Sequence, residues 1–73
     1  MDKLDKEIYK LSKYCKHWAD HNNTHKESFI KWRDIAKSKG LGSIVEKLNL
    51  AIEMLDNCNI YLLAAYDELI RED

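Results

Sequence analysis

Read from Leu4, apolar or otherwise distinctive residues recur at Ile8, Leu11, Cys15, Trp18, Asn22, His25, Phe29, Trp32 and Ala36, in alternating steps of four and three. This is the heptad spacing of a helix that presents one seam to a neighbour. The second half repeats it at Val45, Leu48, Ile52, Leu55, Asn59, Leu62, Tyr66 and Leu69. Between the stripes, Ser38-Lys39-Gly40-Leu41-Gly42-Ser43 offers a glycine for the left-handed position that ends a helix, and Ser43 with Glu46 has the spacing of a capping box. The pattern predicts a single all-α domain over residues 1–73: a helix over about 3–39, a turn over about 40–43 and a helix over about 44–71. A rival boundary lies at His21-Asn22-Asn23-Thr24, where helix propensity is poor and Thr24 with Glu27 matches a second capping box. The stripe crosses that segment in register, which favours one continuous helix, since a turn usually resets the phase.

Two antiparallel helices alone enclose little. Tyr14 and Ile35 widen the apolar surface of the first helix, and Ala51, Cys58, Leu63, Ala65 and Ile70 widen that of the second. Such breadth predicts a hairpin that assembles into a bundle of four or more helices, hence a homo-oligomer, a dimer or larger. Folding the chain about residue 41 brings position i near 82 − i, to within about a turn. Trp18 then falls opposite Ala64 and Ala65, and Trp32 opposite Leu50 and Ala51, so both tryptophans are expected in the core, large rings against small neighbours.

Composition agrees with helix: no proline, two glycines and 45% hydrophobic residues. At 73 residues the chain buries only about 60% of the surface that its unfolded form exposes, a second reason to expect a partner. Charge is divided unevenly. Residues 1–39 hold ten Lys and Arg against six Asp and Glu, and residues 40–73 hold two against seven. A basic half on its own would read as a nucleic-acid surface, but an acidic half of similar size is present to neutralise it, and the lysines do not interleave with exposed aromatics. Neither nucleic acid nor membrane is therefore an expected partner. The longest apolar run, Ile60 to Tyr66, is far short of the roughly 20 residues that cross a bilayer. Two cysteines, Cys15 and Cys58, are too few for a disulfide framework, and the opening residues lack the features of a secretory signal, so a cytoplasmic location is the expectation.

The candidate chemistry lies in three histidines at four-residue spacing, His17, His21 and His25. Successive imidazoles one turn apart on a helix form a chelating arrangement for zinc and neighbouring ions. Geometry limits it: His17 and His25 stand about 12 Å apart along the axis, too far to share one ion at bonds near 2 Å. The workable sites are one pair with ligands from elsewhere, overlapping pairs sharing His21, or sites assembled between subunits. The folding estimate brings Asn57, Cys58 and Asn59 to the level of Asn22 to His25, sets Tyr61 against His21 and puts Glu53 a turn further on. A soft or borderline ion would use His21, His25 and Cys58, and a harder one would call on Glu53 or Asp56. The competing structural reading makes Asn22, His25 and Asn59 a polar layer that fixes register and oligomer number through hydrogen bonds, with no metal.

The run His17-Trp18-x-x-His21-Asn22-x-x-His25-x3-Phe29-x-x-Trp32, followed by a leucine- and alanine-rich helix carrying Asn59, resembles an uncharacterised archaeal and bacterial helical-hairpin domain. That resemblance covers nearly the whole chain. Domains of this pattern occur alone and fused to small nickel-binding proteins of the carbon monoxide dehydrogenase maturation type. The resemblance implies nickel or a related transition metal, held through His17, His21 and His25, and a metalloprotein partner, although this chain carries no fused nickel-binding portion.

No glycine-rich phosphate loop, nucleophile elbow or H-E-x-x-H helix is present, so an enzyme is not expected. Two readings remain. One is a small transition-metal protein, for storage, delivery or sensing, with nickel or zinc as the leading ions and zinc, cobalt and copper as its test set alongside nickel. The other is a structural or protein-interaction module that oligomerises without metal.

Overall fold

A computed structural model describes the backbone of residues 3–71 and the side chains of residues 6–71. Two α-helices, α1 (Lys3–Ser38) and α2 (Gly42–Arg71), pack side by side. The hairpin measures 57 × 14 × 12 Å between its Cα extremes. Its helices are antiparallel, as the cross-helix partners show: Asn22 meets Asn59, Lys26 meets Asp56 and Arg33 meets Asn49. These pairs run close to the 82 − i register. The helix α1 passes unbroken through His21 to Thr24, and the Thr24 hydroxyl bonds back to the Asp20 carbonyl at 3.4 Å instead of capping a new helix.

The turn follows from one residue. Gly40 adopts φ 73°, the left-handed conformation that a side chain disfavours. The chain then closes a Schellman motif, with the Leu41 N–H donating to the Ala36 carbonyl at 3.0 Å and the Gly40 N–H to the Lys37 carbonyl at 3.1 Å. The capping box expected at Ser43 and Glu46 does not form. α2 starts at Gly42, the Leu41 carbonyl accepts its first bond from the Val45 N–H at 3.0 Å, and the Ser43 hydroxyl accepts from Lys47 Nζ. With Leu41 in the N-cap position, Ser43 already lies inside the first turn of α2 and does not precede it as a cap.

On α2 every residue of the predicted stripe, Val45 to Leu69, is buried or half-buried. On α1 the stripe needs correction at alternate positions. Ile8, Cys15, Asn22, Phe29 and Ala36 lie in the seam as expected, but the intervening positions are Ser12, Ala19, Lys26 and Arg33, each one residue beyond Leu11, Trp18, His25 and Trp32. Leu4 lies outside the described side chains. Both tryptophans are consequently exposed, Trp18 by 46% and Trp32 by 57%, and neither belongs to the core of the hairpin. The physical reason is distance: Ala19 (1% exposed), Ser12 and Ala36 let the two backbones approach closely where an indole would hold them apart.

Closest approach occurs at a polar layer. Asn59, 8% exposed, donates through Nδ2 to the Ala19 carbonyl at 3.2 Å and to Asn23 Oδ1 at 2.9 Å, while its Oδ1 accepts from Asn22 Nδ2 at 3.0 Å. The layer is thus Asn22, Asn23 and Asn59. His25, the third member expected from sequence, points away from it and is exposed. Among the described residues no buried polar side-chain atom lacks a partner.

Candidate functional site: the aromatic and histidine face

The shifted seam gives the hairpin two unlike flanks. One holds the polar contacts between the helices, beside exposed Tyr9, Ile60, Leu63 and Ile70: Lys26 pairs with Asp56, Arg33 Nη1 reaches Asn49 Oδ1 at 3.1 Å, and Lys16 Nζ sits 5.5 Å from the centre of the Tyr66 ring. The other collects what the seam excludes. Heptad spacing puts Leu11, Trp18, His25 and Trp32 on one line of α1 and Tyr14, His21, Ser28 and Ile35 on the next. From α2 the same flank receives Ile44, Ala51, Cys58 and Ala65, then Lys47, Met54, Tyr61 and Glu68. Its charged members are Lys47 and Glu68 at the outer edge and Glu7, which continues the Tyr14 line at one end.

Aromatic rings line this flank. Tyr14 stacks on Trp18 with ring centres 5.8 Å apart. One row of side chains climbs α1 obliquely, because each four-residue step turns about 40° round the helix. It begins at the outward-facing His17, passes His21 and His25, and ends at the half-buried Phe29, with ring centres 6.0, 4.7 and 6.4 Å apart in turn. Two shallow grooves separate α1 from α2 here. One, about 280 Å³, is lined by Trp18, His21, Asn22, Cys58 and Leu62, and the other, about 530 Å³, includes Leu11, Tyr61, Ala64 and Ala65.

Two imidazoles on one tetrahedral ion have ring centres about 5 Å apart, from metal–nitrogen bonds near 2 Å and the tetrahedral angle. At 4.7 Å, His21 and His25 have the spacing of a chelating pair, while His17 lies a turn away and more loosely placed. Cys58 is exposed and shares the groove of His21, its Sγ accepting from Asn22 Nδ2 at 3.5 Å. Glu53 is exposed about 140° round α2 from Cys58 and does not line either groove, so it stands apart from the other sequence-predicted ligands. Among the described residues no group of three or more His, Cys, Asp or Glu side chains is gathered around a common point. The pair has two ligands in place, and a complete first coordination shell needs more.

A family model described as a domain of unknown function, DUF8180, matches residues 11–69. The chain belongs to that family. The DUF8180 match spans both helices from Leu11 to Leu69, and so takes in the histidine row, the asparagine layer and the Gly40 turn. No curated protein matches the chain, and no solved structure does. Among the described residues of this DUF8180 member no helix is long and apolar enough to cross a membrane.

Sequence reasoning missed Asn23, the residue that completes the hydrogen bonding of Asn59, and missed the flat apolar flank as a unit. A signal for both was available: Ala19 and Ser12, small residues at heptad spacing, mark the true line of closest approach on α1.

Proposed function

We propose that this chain is a non-catalytic, self-associating helical module. The observation that carries the reading is the imbalance between its core and its surface. Among the described residues only Cys15, Ala19, Ala36 and Ile52 are buried hydrophobics, whereas thirteen large hydrophobic side chains are more than two-fifths exposed. A hairpin with so little inside lacks the burial that offsets the conformational entropy of ordering about 70 residues. Seven of the thirteen, both tryptophans among them, lie on the aromatic flank, and an exposed apolar patch of that kind is the usual mark of an interface. Sedimentation equilibrium of the untagged chain from low to high micromolar concentration tests this. A multiple of the 8.6 kDa chain mass is expected, and a monomer that stays fully helical throughout would overturn the reading.

A second reading is favoured by one separate observation, the 4.7 Å spacing of His21 and His25 beside the groove that holds Cys58. On this reading the module binds a divalent transition ion, nickel or zinc first, through neutral imidazole nitrogens, with further ligands from the thiol, from water or from another subunit. Titration of nickel, zinc, cobalt and copper into the metal-free chain tests it. His21→Ala should abolish binding, and unchanged affinity and stoichiometry would end the metal reading.

A further inference from the structure

We infer that the aromatic flank is covered by a second copy of this chain, packed face to face so that α1 of each copy lies against α2 of the other. The inference rests on the self-association reading and specifies its surface and its geometry. Three observations lead to it. The first is extent: the long face of the hairpin, 57 × 14 Å between Cα extremes, supplies about the 800 Å² per partner that a standard interface buries.

The second is composition. Charge on the flank is found at Lys47 and Glu68 on its outer edge and at Glu7 near one end, with Lys31 Nζ 5.7 Å from the Trp32 ring at the other, and its centre holds Trp18, His21 and Cys58. Depletion of charge with enrichment of aromatics and methionine is the signature of an interface centre. The flank also carries both large and small residues at matched levels. Trp18 stands level with Ala64 and Ala65, and Trp32 with Ala51, but within one hairpin the rings project beside these alanines instead of over them. A second copy turned to face the first would set each indole on the small residues of the opposing α2.

The third is charge, and it selects the arrangement. Two hairpins can meet across this flank in two symmetric ways. With the turns at the same end, α1 faces the partner's α2; with the turns at opposite ends, α1 faces α1 and α2 faces α2. Residues 1–39 carry a surplus of cations and residues 40–73 a surplus of anions, yet among the described residues the only ion pair joining the two helices is Lys26 with Asp56. The hairpin therefore leaves most of its complementary charge unused internally. Bringing α1 against the partner's α2 opposes unlike fields along the bundle, and the alternative opposes like ones.

The test combines mass with one distance. The wild-type chain should sediment as a dimer. Trp18→Glu should shift it to monomer at least tenfold in dissociation constant, or abolish helicity at low concentration while Leu63→Glu on the opposite flank leaves mass and helicity unchanged. Trp18 is 46% exposed in the hairpin, so loss of helicity in Trp18→Glu counts for the interface when a higher chain concentration restores it, and loss that concentration does not restore counts against it. In a Cys58→Ser background, spin labels at Ser43→Cys should lie within roughly the 20 Å width of a four-helix bundle. A separation near the bundle's length overturns the α1-to-α2 arrangement. A dimer that Trp18→Glu does not weaken overturns this face while leaving self-association standing, and a monomeric wild type overturns both.

Discussion

Asn59 is the residue on which the register of the hairpin turns. It is buried, it uses both amide hydrogens and its carbonyl oxygen across the helix interface, and one of its partners is the backbone carbonyl of buried Ala19. Sliding α2 by one turn would bury the amide with none of these partners, at the cost of desolvating an unpaired polar group. Asn59→Ala removes the bonds and leaves Asn22 and Asn23 facing a gap, and should destabilise by about 1–3 kcal/mol. Thermal unfolding at fixed concentration checks it, and an unchanged midpoint would show that the layer contributes no stability. His25 behaves differently. It is exposed in the hairpin and outside the layer, so its replacement by alanine should leave the stability of the single hairpin within about 0.5 kcal/mol, and any further loss should depend on chain concentration, as a contact with the partner copy would. A larger loss that does not change with chain concentration would place His25 in the packing of the hairpin itself.

At the scale of elements, the two glycines of the turn have opposite roles although they are two residues apart. A Cβ at Gly40 or at Gly42 would meet nothing within 4 Å, so backbone conformation alone decides. Gly40 holds φ 73°, and Gly40→Ala should cost about 1 kcal/mol, with the Schellman closure weakened. Gly42 is the first residue of α2 with ordinary helical geometry, and Gly42→Ala should be neutral or stabilising by up to about 1 kcal/mol. Denaturant unfolding of the two variants side by side should separate them in sign. Equal effects would contradict the assignment of the turn to Gly40. The Lys26–Asp56 pair is partly exposed on both sides, and its loss should change stability by only a few tenths of a kcal/mol.

The same scale explains what the chain's pattern made legible. Helix identity, the Gly40 turn and the antiparallel register all follow from periodicity and one glycine, and the α2 stripe follows residue by residue. The α1 stripe was legible only at every other position. Heptad counting weights a residue by its hydrophobicity, so Trp18 and Trp32 outrank Ala19 and Arg33; the seam, however, takes the small side chain of Ala19 and, at Lys26 and Arg33, long stems whose charged heads reach Asp56 and Asn49 at its edge. A hydrophobic stripe broad enough to serve two neighbours does not reveal which edge faces which. For the site, four-residue spacing correctly made His21 and His25 a close pair, and the register brought Cys58 to the groove beside His21. The displacement of Glu53 to the far flank was not visible from level alone, since equal height along a helix says nothing of angle round it.

For the whole molecule, the asymmetric flanks tie the two proposed functions together. His21 and His25 lie on the face assigned to the partner copy, so an ion held by the pair would sit at or beside the interface, where the partner's own His21 and His25 are the nearest supply of further ligands. Metal and assembly should then be linked: an ion that binds the dimer more tightly than the monomer shifts the association equilibrium by its differential affinity. Adding nickel or zinc should lower the dissociation constant of the dimer, and a chelator should restore the metal-free value. Protons compete with metal for the same imidazole nitrogens, so the metal-dependent part of the association should be lost as the solution is acidified. His21→Ala should erase both the metal effect and its acid sensitivity, whatever the metal-free association that the variant retains. Sedimentation of wild type and His21→Ala, each with and without ion at neutral and mildly acid pH, separates the terms. If metal leaves the wild-type mass distribution unchanged while still binding His21 and His25, the ion serves a site on the hairpin's edge and plays no part in holding the copies together.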